Sequence, residues 1–288
     1  MAIAQRDLAG RLVVITGAST GIGRATAIDL ARRGATTVLA NRSEARSVQV
    51  LDEIRAVGGE ARFVELDLAD FASVREGAKR ILALTGSIDV LINNAGLAPP
   101  RGEITKDGFE LGFGTNHLGH FLLTVLLMPR LLSTGRSRIV NVSSQAHYQA
   151  PGIDFDAVRR PTRSITGLPE YSVSKLANVL FARELSRRVG SVGVHSYALH
   201  PGVVASDAWR RLPWPVRPLM KLRMISNEEG AKTSIYCATS PDVAHDNGRY
   251  YDACKEKAPS PVADRVDLAR ELWERSVLFT GADLAHRA

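Results

Sequence analysis

The chain has 288 residues, of which 45% are hydrophobic and 23% charged, with a formal net charge of +7. That length suits one large α/β domain or two small ones and allows a sizeable core. The basic excess could suit a nucleic-acid surface, but the doublets Arg32-Arg33, Arg159-Arg160, Arg187-Arg188 and Arg210-Arg211 are scattered and no aromatic-interleaved tract accompanies them, so no nucleic-acid partner is expected.

Arg11 to Thr16 is a short apolar run ending at a glycine, the pattern of a buried strand. Gly21 to Arg33 follows as a helix, with Gly34 just past its end. Thr36 to Ala40 reads as a second strand, and Ser43 caps a polar helix that stops at Gly58-Gly59. Ala61 to Leu66 is a third strand, Phe71 to Thr85 a helix, and Ile88 to Asn93 a fourth strand. Phe109 to Leu132 holds one or two helices, and Ser137 to Ser143 a fifth strand. Pro169 to Val189 is a long helix, Val192 to Leu199 a sixth strand, Asn227 to Thr239 a helix, and Gly248 to Tyr251 a short seventh strand. The alternation predicts an α/β fold: a doubly wound, seven-stranded parallel sheet in a single domain over residues 1–288. Its core is expected over about residues 8–255, with a helical extension over 256–288.

Two segments break the rhythm: Gln145 to Leu168, polar with Pro and Arg, and Ser206 to Ile225, basic with tryptophan. Both are read as segments covering a substrate. In the second, an apolar lid is favoured over a membrane-surface patch, because three prolines argue against a continuous amphipathic helix. The longest apolar run, Leu118 to Met128, is too short to span a bilayer and suits a core helix. The two cysteines, Cys237 and Cys254, have no close pairing, which fits a reduced, cytoplasmic setting. The first eleven residues lack an apolar run, so no signal peptide is expected. No cluster has metal-ligand spacing, and no metal is expected.

Thr16-Gly17-Ala18-Ser19-Thr20-Gly21-Ile22-Gly23 joins the first strand to the first helix. Glycines there permit a tight turn and close approach to a pyrophosphate, and the helix start offers N–H donors. The spacing is G-x-x-x-G-x-G, not G-x-G-x-x-G. A carboxylate ending the second strand would suit NAD; this chain has Asn41 and then Arg42, which favours NADP(H). Asp67 could accept a hydrogen bond from adenine. Tyr171 and Lys175 lie four residues apart, on one face of the long helix. A cation beside a phenol favours the phenolate, which a proton-transferring Tyr needs at neutral pH. Either Ser143 or Ser144, at the end of the fifth strand, could supply a hydroxyl.

These motifs, with Asp67-Leu68, Asn93-Asn94-Ala95-Gly96, Asn116 and Pro201-Gly202, stand in one order. The chain resembles the short-chain dehydrogenase/reductase family from about Leu8 to Tyr251, and Asn116 to Leu123 with Tyr171 to Phe181 resembles its retinol dehydrogenase-like branch. The resemblance implies a Rossmann-like fold and an NADP(H)-dependent oxidoreductase interconverting a hydrophobic ketone or aldehyde and its alcohol. It implies Tyr171 as acid/base, Lys175 as its tuner and a ribose ligand, Ser144 as donor to the substrate carbonyl, and Asn116 as holder of a water beside Lys175. Gly17, Ser19, Thr20, Gly21, Ile22, Gly23, Asn41, Arg42, Asp67, Leu68, Asn94, Ala95, Gly96, Pro201, Gly202, Val204 and Ser206 are the implied cofactor residues. His147 and Trp209 are candidates for substrate contact. His117, His120 and His200 are read as structural. The helices after Asn116 and from Tyr171 carry the apolar faces that pair in many relatives, so a homo-oligomer is expected. The competing reading is a catalytically silent protein that senses NADP(H) on the same fold.

Overall fold

The computed structural model describes residues 6–203 and 225–284. Its strands are β1 (Leu12–Thr16), β2 (Thr36–Asn41), β3 (Glu60–Glu65), β4 (Val90–Asn93), β5 (Ser137–Val142), β6 (Val194–His200), β7 (Tyr250–Asp252) and β8 (Lys255–Glu256). They form one sheet in the order β3-β2-β1-β4-β5-β6-β7-β8. All pairings are parallel except β7 with β8. The expected seven-stranded parallel sheet is thus an eight-stranded mixed one. Asp252 to Lys255 turns tightly, with Ala253 and Cys254 both at positive φ, 48° and 60°. Such a turn normally carries Asn and Gly, so Ala-Cys gives no sequence signal for it.

The helices are α1 (Gly21–Arg32), α2 (Glu44–Ala56), α3 (Phe71–Leu84), α4 (Leu111–Phe113), α5 (Gly119–Leu132), α6 (Leu168–Val189), α7 (Asn227–Thr239) and α8 (Val266–Thr280). Period-2 alternation of the strands feeds two cores. Val14, Val38, Leu91 and Ile139 point to the layer of α3, α5 and α6. Val13, Ile15, Leu39 and Val140 point to the layer of α1, α2 and α7. Because both faces are covered, the strands read as continuous apolar runs.

Between α4 and α5 the chain makes a π turn, Gly114–Leu118, which holds Asn116. Every position from Gly112 to Val125 is buried, so the extra residue shifts no apolar stripe that could be read from the sequence; such turns recur at functional sites. Leu111–Leu132 is long and apolar enough to cross a membrane, but 89% of its most apolar 18-residue stretch is buried against the rest of the chain.

α8 lies on α6 and the π turn. Trp273 stacks on Phe181 at 6.0 Å and meets Phe121 edge-on at 5.0 Å. Arg188 covers Trp273 from 4.5 Å, and His117 Nε2 pairs with Ser276 Oγ at 2.9 Å. α8 thus covers part of the apolar surface of α5 and α6.

Candidate active site

The strand order reverses between β1 and β4, the position where doubly wound sheets open a crevice at their carboxyl ends. A cleft of about 1180 Å³ opens there. Its walls include Gly17, Ser19 to Gly23, Asn41, Arg42, Asp67, Leu68, Asn94 to Gly96, Ser144, Tyr171, Lys175, Pro201 and Gly202. These residues span β1 to beyond β6, and the fold brings them to one place. Val204, Ser206 and Trp209 fall outside the described residues.

One end of the cleft suits a pyrophosphate. Thr20 sits at the N-cap of α1 but makes no side-chain cap bond, and the first turn has no acidic residue. Its N–H donors and the positive end of the helix dipole therefore face the cleft without a competing carboxylate. A Cβ on Gly23 would lie 2.4 Å from the Gly17 carbonyl oxygen, so only glycine lets the loop fold this tightly. Asn41 lines the cleft but is committed to the scaffold: its Oδ1 accepts from Ala18 N at 2.7 Å and its Nδ2 donates to Ser47 Oγ at 2.9 Å. Arg42 and Arg46 both line this end, and among the described residues neither has a carboxylate ion-pair partner. Arg46 escapes a strand-end motif, although its place one helical turn after Arg42 puts both on one side of the α2 start.

The other end holds the proton-handling groups. Ser143 Oγ is buried and donates to the Lys175 carbonyl at 2.7 Å, whereas Ser144 lines the cleft beside the Tyr171 phenol. Orientation thus separates two serines that spacing alone leaves equivalent. Lys175 is 3% exposed, and its Nζ donates to the Val142 carbonyl at 2.9 Å. Burial pushes its ammonium down to about 8. Burial also raises the Tyr171 phenol, and the Ser144 contact only partly opposes this. Nζ stands 5.5 Å from the Tyr171 ring centre.

Asn116 lies beneath the cleft, fully buried. Its Oδ1 accepts from Leu97 N, and its Nδ2 donates to Leu97 O and to Ser174 Oγ, all at 2.9 Å. A Cβ on Gly96 would fall 3.0 Å from Lys175 Nζ and 3.5 Å from Asn116 Oδ1. Glycine there keeps the approach to Lys175 open. His117 and His120 are buried, as read from the sequence; desolvation pushes them to about 3 and about 4. His200 lines the cleft and accepts from Gln145 N at 3.3 Å.

His147 is a correction. It is fully buried, with Nδ1 donating to Ser144 O at 2.7 Å and Nε2 accepting from Ser260 N at 3.0 Å. Both nitrogens hold backbone, so the ring has nothing to offer a substrate. The segment Gln145 to Leu168 also faces the cleft only at its ends, through Gln145, Ala146, Tyr148, Gln149 and Leu168. Its middle is pinned elsewhere: Thr162 Oγ1 donates to buried Glu110, and Arg159 lies over Phe109 and Phe279 at 5.2 and 5.5 Å.

A family model described as short chain dehydrogenase matches residues 11–157. Retinol dehydrogenase 13 of Homo sapiens is 41% identical over 284 residues, which cover 95% of this chain and 86% of that one. The crystal structure of an uncharacterized protein from Mycobacterium paratuberculosis superposes with a TM-score of 0.78 at 35% identity, covering 98% of each chain. A gluconate 5-dehydrogenase described as NAD(P)-dependent, from Beutenbergia cavernae and with bound NADP, superposes with a TM-score of 0.72 at 28% identity, covering 86% of this chain and 97% of that one.

Proposed function

We propose, from the premise that this chain belongs to the short-chain dehydrogenase family, that it is an NADP(H)-dependent oxidoreductase interconverting a hydrophobic ketone or aldehyde and its alcohol. The observation that carries the reading is the meeting of Ser144, Tyr171 and Lys175 in the same cleft as an uncapped helix start and a glycine loop. The donor set fits a dinucleotide: free N–H groups for the pyrophosphate, an open approach at Gly96, and two guanidinium groups beyond β2. A nicotinamide bound there supplies or accepts the hydride, which no side chain can do. Arg42, aided by Arg46, suits a 2′-phosphate, which a planar guanidinium grips bidentately.

In the reducing direction Tyr171 Oη gives its proton to the substrate oxygen, and in the oxidising direction it takes that proton back. Ser144 donates a hydrogen bond to the same oxygen as negative charge builds there, a term that a fixed donor supplies without reorganisation. Lys175 replaces the lost proton's charge near Tyr171. A hydrophobic substrate is supported by the relatives described as retinol dehydrogenases and by Leu97, Ala98, Ala146 and Leu168 on the cleft wall.

The test follows NADPH oxidation with a panel of hydrophobic aldehydes and ketones, a retinoid aldehyde among them. Tyr171→Phe should lower turnover by about 10²-fold or more. Arg42→Ala should raise KM for NADPH far more than for NADH. Equal turnover in wild type and Tyr171→Phe would remove the acid/base assignment, and equal KM changes would remove the phosphate clamp.

A further inference from the structure

Two site-bearing segments, the end of β1 and the π turn, meet on one buried imidazole, and the end of β4 joins them through Thr16. His120 is 1% exposed and stands at the start of α5. Its Nδ1 lies 2.9 Å from the Asn116 carbonyl oxygen. A carbonyl only accepts, so Nδ1 carries the ring proton. Nε2 then presents a lone pair, 2.8 Å from Thr16 Oγ1, and the Thr16 hydroxyl donates to it. The other receiver for that proton, the Ile92 carbonyl, is farther away at 3.4 Å. Thr16 Oγ1 keeps its lone pairs for Asn94 N and Ala95 N, each at 3.0 Å. Desolvation holds the ring neutral, so one tautomer serves both bonds.

We infer that His120 is a positioning residue that sets the cofactor cradle and the proton-handling groups in register. Through Nε2 it fixes Thr16, and with Thr16 the Asn94-Ala95 wall of the cleft. Through Nδ1 it fixes the π turn, whose Asn116 side chain ties Leu97 to Ser174, the residue before Lys175. The inference rests on reading the cleft as a dinucleotide site.

Two substitutions separate the nitrogens. In H120N the amide nitrogen takes the place of Nδ1, keeping the bond to Asn116 and losing Thr16. In H120Q the longer side chain reaches Thr16 and loses Asn116. H120N should act on affinity more than on kcat, weakening NADPH binding about tenfold in a fluorescence titration of cofactor-free protein. H120Q should act on kcat more than on affinity, lowering kcat about tenfold. Thr16→Val removes the same hydroxyl and should reproduce the H120N pattern, which covers the case of a His120 variant that does not fold. Equal losses of affinity and kcat in both His120 variants, or no loss in either, would overturn the inference. Hydrogen exchange of ligand-free protein gives a readout independent of the cofactor: Asn94 and Ala95 should exchange faster in H120N and T16V than in H120Q, and Leu97 faster in H120Q. If wild type takes up neither NADPH nor NADH, the dinucleotide reading falls, and the exchange rates still decide the role of His120.

Discussion

Lys175 should be a residue that the fold would be more stable without. Its Nζ is buried, and desolvation brings the ammonium from 10.5 down to about 8. Each pKa unit is worth about 1.4 kcal/mol, so holding the charge inside the folded state costs about 3 kcal/mol. The sign follows from proton uptake. Between pH 8 and 10.5 the unfolded chain binds the proton and the folded chain does not, so stability rises with pH across that window. Below pH 8 the full cost is present. Lys175→Met keeps the length of the stem and removes the charge. The Val142 carbonyl stays satisfied, because Asn178 Nδ2 also donates to it, at 3.1 Å. K175M should therefore be about 1–3 kcal/mol more stable than wild type at neutral pH, and the gap should shrink as pH rises towards 10. Urea unfolding at several pH values measures this, and turnover measured on the same samples should be lost. The reasoning fails if K175M is no more stable than wild type at neutral pH, or if the gap does not change with pH.

Two further outcomes follow from the site and the core. Ser144→Ala should lower kcat by about 10²-fold, since Ser144 faces the cleft, with a small stability loss from its 3.2 Å bond to Ala146 N. Ser143→Ala should instead cost about 1 kcal/mol of stability, because its buried hydroxyl serves the Lys175 carbonyl; the reverse pattern would exchange their roles. His117, buried among Phe113, Phe121 and Phe181, is pushed down to about 3 by desolvation, so its share of stability is present above its unfolded pKa of 6.5 and is lost as pH falls towards 3. His117→Phe should move acid unfolding to lower pH, and Ser276 Oγ keeps its bond to Leu272 O at 2.7 Å; an unmoved acid midpoint counts against the assignment.

Much of the cleft was legible because its chemistry is local. A strand end, three glycines and a helix start fall within eight residues, and Tyr171 and Lys175 share one helical face. What stayed hidden depends on orientation or on distant partners. Ser143 and Ser144 differ only in which side of the strand end each faces. His147 lies close to Ser144 in sequence, yet Ser260, 113 residues away, takes its second nitrogen. Asn41 ends β2 as read, but Ala18 and Ser47 claim its side chain. The β7–β8 hairpin escaped because its turn residues carry no turn chemistry. α8 was legible as a helix, but not which surface it would cover.

That covering has a consequence for how the chain comes into being. His117 and Ser276 are 159 residues apart, and Trp273 comes well after both Phe121 and Phe181 in the chain. During synthesis the chain emerges from its amino end, so Phe121 and Phe181 are made long before the ring that will cover them. Until α8 leaves the ribosome, an aromatic face lies open to whatever is nearby. A chain cut short before α8 leaves that face open permanently, with most of the cleft residues already encoded. The hazard of early termination is therefore a sticky near-enzyme rather than a clean loss.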